Sequence, residues 1–206
     1  MKRITYSILL SVLICGTAFS QFSGQLSTAR IVDNGASMAG VYAGVYEDAI
    51  GLLGQYRYGL GGYTDLGIKL GMLDLDDWRG NDAAMDFSLD VKYQVMEVGM
   101  RDPFDLSIGG GLEFMFAEDV NIISLGLAPI GSYPIRLRNG RTLEPYGRLQ
   151  MRVERRDWDY YNDEDAEFEI GLNMGTAFEL SNSTRVLAEF QFDNQYGFFL
   201  GANFGL

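Results

Sequence analysis

Residues 85–95 alternate between apolar and polar side chains, and no other feature of the sequence constrains the fold as much. The apolar residues share one parity: Met85, Phe87, Leu89, Val91, Tyr93 and Val95. The polar residues share the other parity: Asp86, Ser88, Asp90, Lys92 and Gln94. A β-strand turns successive side chains to opposite faces, whereas a helix would mix the two sets around its circumference. The pattern therefore predicts a strand with one apolar and one polar face.

The same period of two recurs along the chain after residue 36. It is clear in residues 63–72, 104–116, 143–154, 167–179, 184–193 and 196–206, and weaker in the Gly-, Ala- and Tyr-rich residues 37–47, 50–59 and 121–133. Met115 and Leu187 interrupt the polar faces of their segments. An even number of strands lets the last pair antiparallel with the first and leaves no edge. We predict an all-β antiparallel barrel of about ten strands, with eight as the alternative.

The apolar residues are distributed through the chain. They make up 47% of the 206 residues, and the length suits a single domain. In an outer-membrane barrel, apolar side chains face lipid and polar side chains face the lumen, alternating over about ten residues per strand. The predicted strands have that length and alternation, so the fold class we expect is a transmembrane β-barrel.

The N-terminus has the organisation of a signal peptide, with its short helix. Lys2 and Arg3 precede an apolar stretch at residues 4–15 that is too short to span a bilayer. Ala18-Phe19-Ser20 has the small-x-small form of a cleavage site, which makes Gln21 the expected mature N-terminus.

A lipoprotein anchored through Cys15 is the competing interpretation of this leader. It requires a small residue before the cysteine, and Ile14 is large and branched. We therefore divide the chain into a signal peptide at residues 1–20, a periplasmic lead-in at residues 21–36 and the barrel at residues 37–206. Cys15 is the one cysteine, so the mature chain would have no disulfide and no cysteine-based metal site.

The charge of the chain argues against nucleic acid as a partner. The net charge is -12, and removal of Lys2 and Arg3 leaves 14 basic against 28 acidic residues, or -14. Phosphate binding requires clustered basic residues that release counterions, and this chain has no such excess.

Two kinds of connection join the predicted strands. Those on the inner side are residues 60–62, 97–103, 180–183 and a hairpin at Asn139-Gly140, a strong turn sequence. Two outer connections, residues 73–82 and 155–165, are longer and acidic. Short periplasmic turns with longer outer loops are typical of outer-membrane barrels.

Aromatic residues fall near the strand ends, where a barrel carries its interfacial girdles. We assign the outer girdle to Phe87, Phe116, Phe168, Phe192 and Phe198, and the inner girdle to Tyr93, Phe104, Tyr133, Phe178 and Phe204. A secreted soluble β-sandwich or lipocalin-like barrel remains the alternative, because period two alone does not say which face points inward.

The last strand carries the strongest resemblance to a known class. Residues 196–206 end the chain on alternating apolar residues, with Phe204 two places before Leu206. This resembles the C-terminal signal of outer-membrane barrels, which ordinarily ends on an aromatic residue. Residues 28–32, followed by Gly35, resemble the lead-in of many bacterial outer-membrane barrels. The mature chain is thus similar to the small bacterial outer-membrane β-barrel superfamily.

The resemblance implies a location and partners. It places the chain, as a porin-like protein, in the outer membrane of a Gram-negative cell, among lipids and lipopolysaccharide. It also implies delivery by the machinery that inserts barrels there. An extracellular ligand of unknown identity is a further expectation.

The absence of histidine argues against the known enzymes of this architecture. The omptin-type proteases, lipid A palmitoyltransferases and deacylases, and outer-membrane phospholipases rely on histidine as a base or to activate a nucleophile. This chain has no histidine. We predict no catalytic residue, no cofactor and a non-enzymatic protein, and a histidine-free membrane enzyme is the third hypothesis.

The charged residues of the polar faces are the candidate functional residues. We expect a lumen charge network of Arg57, Asp65, Lys69, Asp86, Asp90, Lys92, Glu113, Glu144, Arg148, Arg152, Glu154, Glu167, Glu169, Arg185 and Glu189. Charges in a narrow interior have to be paired or hydrated. The network either fills the lumen, which makes the barrel structural, or lines a narrow cation-preferring pore.

The acidic outer connections suggest a second function, a surface-binding module. Asp157, Asp159 and Asp163 are the nearest approach to a Ca²⁺ site, but they lack the spacing and the glycine of an EF-hand loop. We therefore predict no metal.

Overall fold

The computed structural model describes residues 26–47, 49–77, 80–99, 102–118, 120–158, 164–193 and 196–206. The predicted signal peptide and residues 21–25 of the lead-in lie outside these ranges. The strands are β1 (Ser37–Tyr46), β2 (Ala49–Gly61), β3 (Thr64–Asp77), β4 (Gly80–Met96), β5 (Asp105–Phe116), β6 (Val120–Ser132), β7 (Ile135–Arg136), β8 (Thr142–Trp158), β9 (Glu164–Ser181), β10 (Thr184–Phe192) and β11 (Tyr196–Gly205). Within the described part of the chain there is no helix long and apolar enough to cross a bilayer.

The strands form one closed antiparallel barrel. Each long strand pairs with its neighbour in sequence, β1 pairs with β11, and β6 pairs with β8 across the short β7. The two-residue β7 adds a short ladder beside β8, so ten strands make the wall. The predicted ten-stranded antiparallel barrel is confirmed. We call the end at which β1 begins and β11 ends the lower end, and the opposite end the upper end.

The upper-end connections are shorter than the sequence suggested. β3 and β4 stay paired from Leu73 opposite Ala84 as far as Asp77 opposite Gly80. β8 and β9 likewise pair as far as Asp157 opposite Glu164. The prediction that residues 73–82 and 155–165 are loops is therefore wrong for residues 73–77, 80–82, 155–158 and 164–165, which belong to strands. Residues 78–79 and 159–163 lie outside the described residues. Pairing continues because it satisfies the backbone N–H and C=O groups of both strands.

The lower-end turns follow the backbone freedom of their residues. β2 and β3 are joined by Gly62 and Tyr63, with φ of 60° and 63°, the left-handed values of a tight hairpin. The predicted hairpin at Asn139-Gly140 is present. It has three loop residues, since Leu137 N donates to Arg141 O at 2.8 Å and Gly140 takes the left-handed position at φ 80°. Such a loop is a turn followed by a bulge.

The barrel is apolar outside and polar inside. Ile50, Leu70 and Phe168 point outward and are 64%, 60% and 63% exposed, whereas Arg57, Asp65 and Glu189 are fully buried in the interior. This arrangement is the reverse of a soluble barrel, which buries its apolar face. The soluble alternative is excluded by these faces.

The outer apolar face is tall enough to span a membrane. On β8 the outward side chains run from Leu143 to Val153, ten residues apart. At about 3.3 Å per residue this is about 33 Å along the strand. A strand tilted by about 40° then covers about 25 Å, the height of the apolar band of an outer-membrane barrel.

Candidate functional site

The lumen is the candidate functional site, and its walls carry most of the buried charge. Arg57, Asp65, Lys69, Lys92 and Glu189 are each no more than 1% exposed. They lie inside because the polar parity of each strand faces the barrel axis. An ion in such an interior is stable only when a partner and hydrogen bonds compensate its lost hydration.

A neutral group of four charges lies in the lower half of the lumen. Arg57 Nη2 is 2.5 Å from Asp65 Oδ1 and 2.7 Å from Asp90 Oδ1. Lys92 Nζ lies 3.7 Å from Asp65 Oδ2. Two cations are thus balanced by two carboxylates from neighbouring strands.

Glu189 is the centre of a second group, on the opposite wall. Its Oε1 accepts from Arg148 Nη2 at 2.6 Å, from Asn173 Nδ2 at 2.9 Å and from Gln191 Nε2 at 2.9 Å. Its Oε2 accepts from the Tyr146 hydroxyl at 2.5 Å. Four donors from three strands hold one buried carboxylate, so this group rigidly joins β8, β9 and β10.

A third group lies nearer the upper end of β8. Arg152 Nε donates to Glu154 Oε2 at 3.1 Å, and Arg152 also pairs with Asp193. Arg156 Nε donates to Glu154 Oε1 at 2.8 Å, and Arg156 Nη1 is 3.2 Å from Glu167 Oε2. The basic residues of this group are again matched by carboxylates.

The remaining predicted charges are less uniform. Lys69 Nζ is 3.0 Å from Glu113 Oε2 and 3.8 Å from Asp86 Oδ2, all buried. Glu144 is buried near the lower end, and Arg185 Nη1 lies 3.7 Å from it with 39% of its side chain exposed. The side chain of Glu167 is 53% exposed, and Glu169 is half-buried. The structure thus brings together most of the predicted charges in several groups along the wall, with a few at its exposed margins.

Apolar side chains are buried together in the upper half of the lumen. We call this set the upper cluster: Tyr46, Leu53, Leu73, Ala84, Met115, Val120, Ile122 and Phe199. The rings of Tyr46 and Phe199 meet edge to face at 5.2 Å between centroids. The cluster belongs to one buried core with Leu26, Tyr42, Tyr146 and Leu187.

Lumen-facing glycines make room for these large side chains. A Cβ at Gly44 would lie 2.6 Å from Phe199 Cε1, and a Cβ at Gly51 would lie 2.3 Å from Leu73 Cδ2. A Cβ at Gly175 would lie 2.5 Å from Tyr146 Cζ. Large residues of one strand therefore pack into spaces left by glycines of the next, which explains the glycine-rich polar face.

The lower half of the lumen contains a part of the chain itself. Residues 26–33, which we call the lumen segment, run from the interior of the barrel to its lower rim. Leu26 and Ala29 are fully buried, whereas Arg30 and Asp33 are exposed. The segment leaves at the lower rim, where Gly35 N donates to Gly59 O at 2.9 Å before β1 begins. Sequence reasoning placed these residues in the periplasmic lead-in. The structure puts them inside the barrel.

The aromatic residues predicted for the girdles lie on the outer surface. Tyr93, Phe104, Tyr133 and Phe204 are exposed near the lower end, and Phe178 is half-buried there. Phe116, Phe168 and Phe192 are exposed, and Phe198 half-buried, towards the upper end. Phe87 differs, because it lies at the middle of β4 and stacks on Phe114 at 6.2 Å.

Several lumen residues were not among the candidates. Tyr42, Gln55, Tyr146 and Asn173 are buried and polar, and all point inward by the parity of their strands. Phe199 also has inward parity. Their positions in the alternating pattern already place them on the lumen face. They were missed because only charged residues of that face were taken as candidates.

The Ca²⁺ candidates gain no support. Asp159 and Asp163 lie outside the described residues, and Asp157 is exposed near the upper end of β8. Among the residues that the structure describes, no three acidic, cysteine or histidine residues are grouped as metal ligands.

Comparison with solved structures identifies outer-membrane barrels of the same fold. The β domain of the Bordetella autotransporter BrkA aligns with 84% of this chain and 100% of its own, at 14% sequence identity and a TM-score of 0.53. An outer-membrane channel from Pseudomonas putida F1 aligns with 91% of this chain and 100% of its own, at 11% identity and a TM-score of 0.51.

At these identities the likeness shows the fold alone. No protein-family model matches the chain, and no curated protein sequence matches it. The closed barrel, its apolar outer face and its polar interior define an outer-membrane β-barrel protein.

Proposed function

We propose that the protein is a structural, non-enzymatic outer-membrane β-barrel whose lumen is closed to solutes. The observation that carries this proposal is that both halves of the lumen are occupied by protein. Side chains of the upper cluster are buried in one half, and the lumen segment lies in the other. A barrel of this size is already far narrower than porins of 16–18 strands.

A narrow cation-preferring pore is the other form of this hypothesis, and the ion pairing argues against it. A pore selects cations when carboxylates are free to replace water around the ion. Here Asp65, Asp90 and Glu189 lie in direct contact with arginine side chains. Their charge is already balanced within the wall.

Planar bilayer recording tests the closed barrel. The protein is purified from the outer-membrane fraction, and its shift in gel mobility on boiling verifies a folded barrel before reconstitution. We expect no conductance steps, while an open porin recorded in the same membranes gives steps. Steady cation-selective steps from the folded protein would overturn the proposal.

A surface-binding module is the second candidate, favoured by the paired hairpins at the upper end. β3–β4 and β8–β9 stay paired as far as Asp77 and Asp157, and Asp74, Arg155 and Asp157 are exposed there. Such hairpins present charged groups on a stiff support. Binding of cells or extracts that is lost when both hairpins are shortened, in a barrel that keeps its heat-shifted band, would favour this candidate.

A further inference from the structure

The hydrogen bonds that hold the lumen segment go almost entirely to its main chain. Leu26 O accepts from Tyr42 Oη at 3.0 Å and from Gln55 Nε2 at 3.3 Å. Ala29 N donates to Ser132 Oγ at 3.2 Å, and Ala29 O accepts from Ser107 Oγ. Each of these four wall side chains recognises a main-chain group: the C=O is common to every residue type, and the N–H to every type except proline.

The wall continues the same recognition towards the lower end. Lys92 Nζ donates to Thr28 O at 2.9 Å and to Arg30 O at 2.8 Å. Ile31 N donates to Gln94 Oε1 at 3.3 Å, and Val32 N donates to Asp65 Oδ2 at 2.9 Å. In the described residues, one side chain of the segment joins this set, since Ser27 Oγ accepts from Lys92 Nζ at 3.0 Å.

We infer that the lower lumen is a binding site for a polypeptide segment, which the protein's own residues 26–33 occupy. Main-chain hydrogen bonds supply affinity in recognition of extended peptides, and pockets for selected side chains supply specificity. Here the side-chain requirement is small size, because Ser27, Thr28 and Ala29 are buried at 4%, 6% and 0%. The ligand is therefore a chain that bends at the positions of Ser27 and Ala29. It has small residues at three consecutive positions and a buried apolar residue, here Leu26, before them.

The space around the segment supports entry from the lower end. A cavity of about 210 Å³ lies between the segment and the wall near Arg185 and Asn203. Another of about 200 Å³ lies on the side of Glu97 and Asp105. Both reach Arg30, which is exposed, so the lower end of the segment has room beside it.

A labelled peptide of residues 26–33 tests the inference on the full-length barrel. Ala29→Lys introduces a charged chain at a fully buried position and should release the segment from the lumen. Arg30→Lys, one residue away and exposed, is the matched control. In fluorescence anisotropy we expect Ala29→Lys to bind the peptide at least about tenfold more tightly than wild type or Arg30→Lys, in which the site is filled.

A second peptide separates main-chain recognition from other binding. Methylation of the nitrogens of Ala29, Ile31 and Val32 removes three donors, and we expect it to weaken binding to Ala29→Lys at least about tenfold. Ala29→Pro, which removes one donor and keeps a small side chain, replaces Ala29→Lys if that variant loses its heat-shifted band. The inference is overturned if a folded released variant binds no peptide, if wild type binds equally well, or if methylation has no effect. The readout is independent of conductance, so its failure would leave the closed barrel untouched.

Discussion

The two halves of the lumen are closed by different means. In the upper half, the upper cluster consists of side chains that belong to the wall strands, such as Tyr46 on β1 and Phe199 on β11. In the lower half, the lumen segment is a separate stretch of chain that the wall holds by hydrogen bonds. The first closure is part of the barrel, whereas the second is attached to it.

This difference determines which closure can be removed. Apolar packing between strands contributes to the stability of the wall, so its loss weakens the whole barrel. The hydrogen bonds of the lumen segment can exchange with water once the segment leaves, and the strand ladder is not broken. We therefore expect substitutions in the upper cluster to lower the stability of the whole barrel. Loss of the lumen segment should open the lower half while the wall stays folded.

The largest expected effect is the loss of a ring from the upper cluster. Phe199→Ala removes a fully buried side chain that packs on Tyr46, and we expect a loss of about 3–5 kcal/mol in the free energy of unfolding. Phe198→Ala is the matched control, since Phe198 faces outward beside Phe190 and lipid can fill its place. Urea unfolding of the barrel in lipid vesicles measures both. An equal loss in the free energy of unfolding for the two variants would contradict the conclusion that packing inside the upper half stabilises the barrel.

The next effect concerns the lysine that holds the lumen segment. Lys92→Met removes the donor to Thr28 O and Arg30 O, and Asp65 keeps its contact with Arg57. We expect a loss of about 1–3 kcal/mol and faster amide exchange in residues 29–32.

Lys69→Met is the control for Lys92→Met. Lys69 is also a buried lysine, but its partner Glu113 lies on the wall. We expect it to lower stability and to leave exchange in residues 29–32 unchanged. Exchange that rises equally in both variants would show that the segment follows the stability of the wall and has no separate attachment.

A loss of similar size is expected at a glycine of the upper half. In Gly44→Ala the new Cβ would lie 2.6 Å from Phe199 Cε1, so the ring has to shift, at a cost of about 1–3 kcal/mol. Gly110→Ala is the control, because its nearest atom would be 3.8 Å away. Its effect should stay within about 0.5 kcal/mol. If Gly44→Ala were as mild as Gly110→Ala in urea unfolding, the upper cluster would be loosely packed.

The smallest effect is expected for the ion pair at the lower margin. Arg185 lies 3.7 Å from Glu144 and is 39% exposed, so water and salt weaken their attraction. Arg185→Gln should cost less than about 1 kcal/mol, and the loss should shrink as salt is added. A loss as large as that of Lys92→Met, unchanged by salt, would show that this margin is part of the sealed interior.

The alternation of apolar and polar residues predicted the wall of this barrel, because every strand faces the same two environments. Lipid selects apolar residues on one parity, and the lumen selects polar or small residues on the other. The two interruptions of that pattern, Met115 and Leu187, were informative. Both lie in the buried apolar core, and Phe199, on the lumen face by parity, joins them there.

The sequence could not predict how these residues meet. Parity gives the face of a residue, but contacts across a lumen depend on the register of strands far apart in the chain. The lumen segment was harder still, because residues 26–33 show no alternation. Its main-chain atoms make most of its hydrogen bonds, and a sequence pattern does not indicate which main-chain atoms are bonded.

The most direct test of the doubly closed lumen is bilayer conductance measured on four matched proteins. These are wild type, Ala29→Lys, the pair Tyr46→Ala with Phe199→Ala, and the combination of all three substitutions, each verified as a folded barrel by its heat-shifted band. We predict that conductance steps occur in the combined variant and are absent from wild type and from the proteins with one half still closed. Steps from wild type, or from a barrel that retains either closure, would contradict the account.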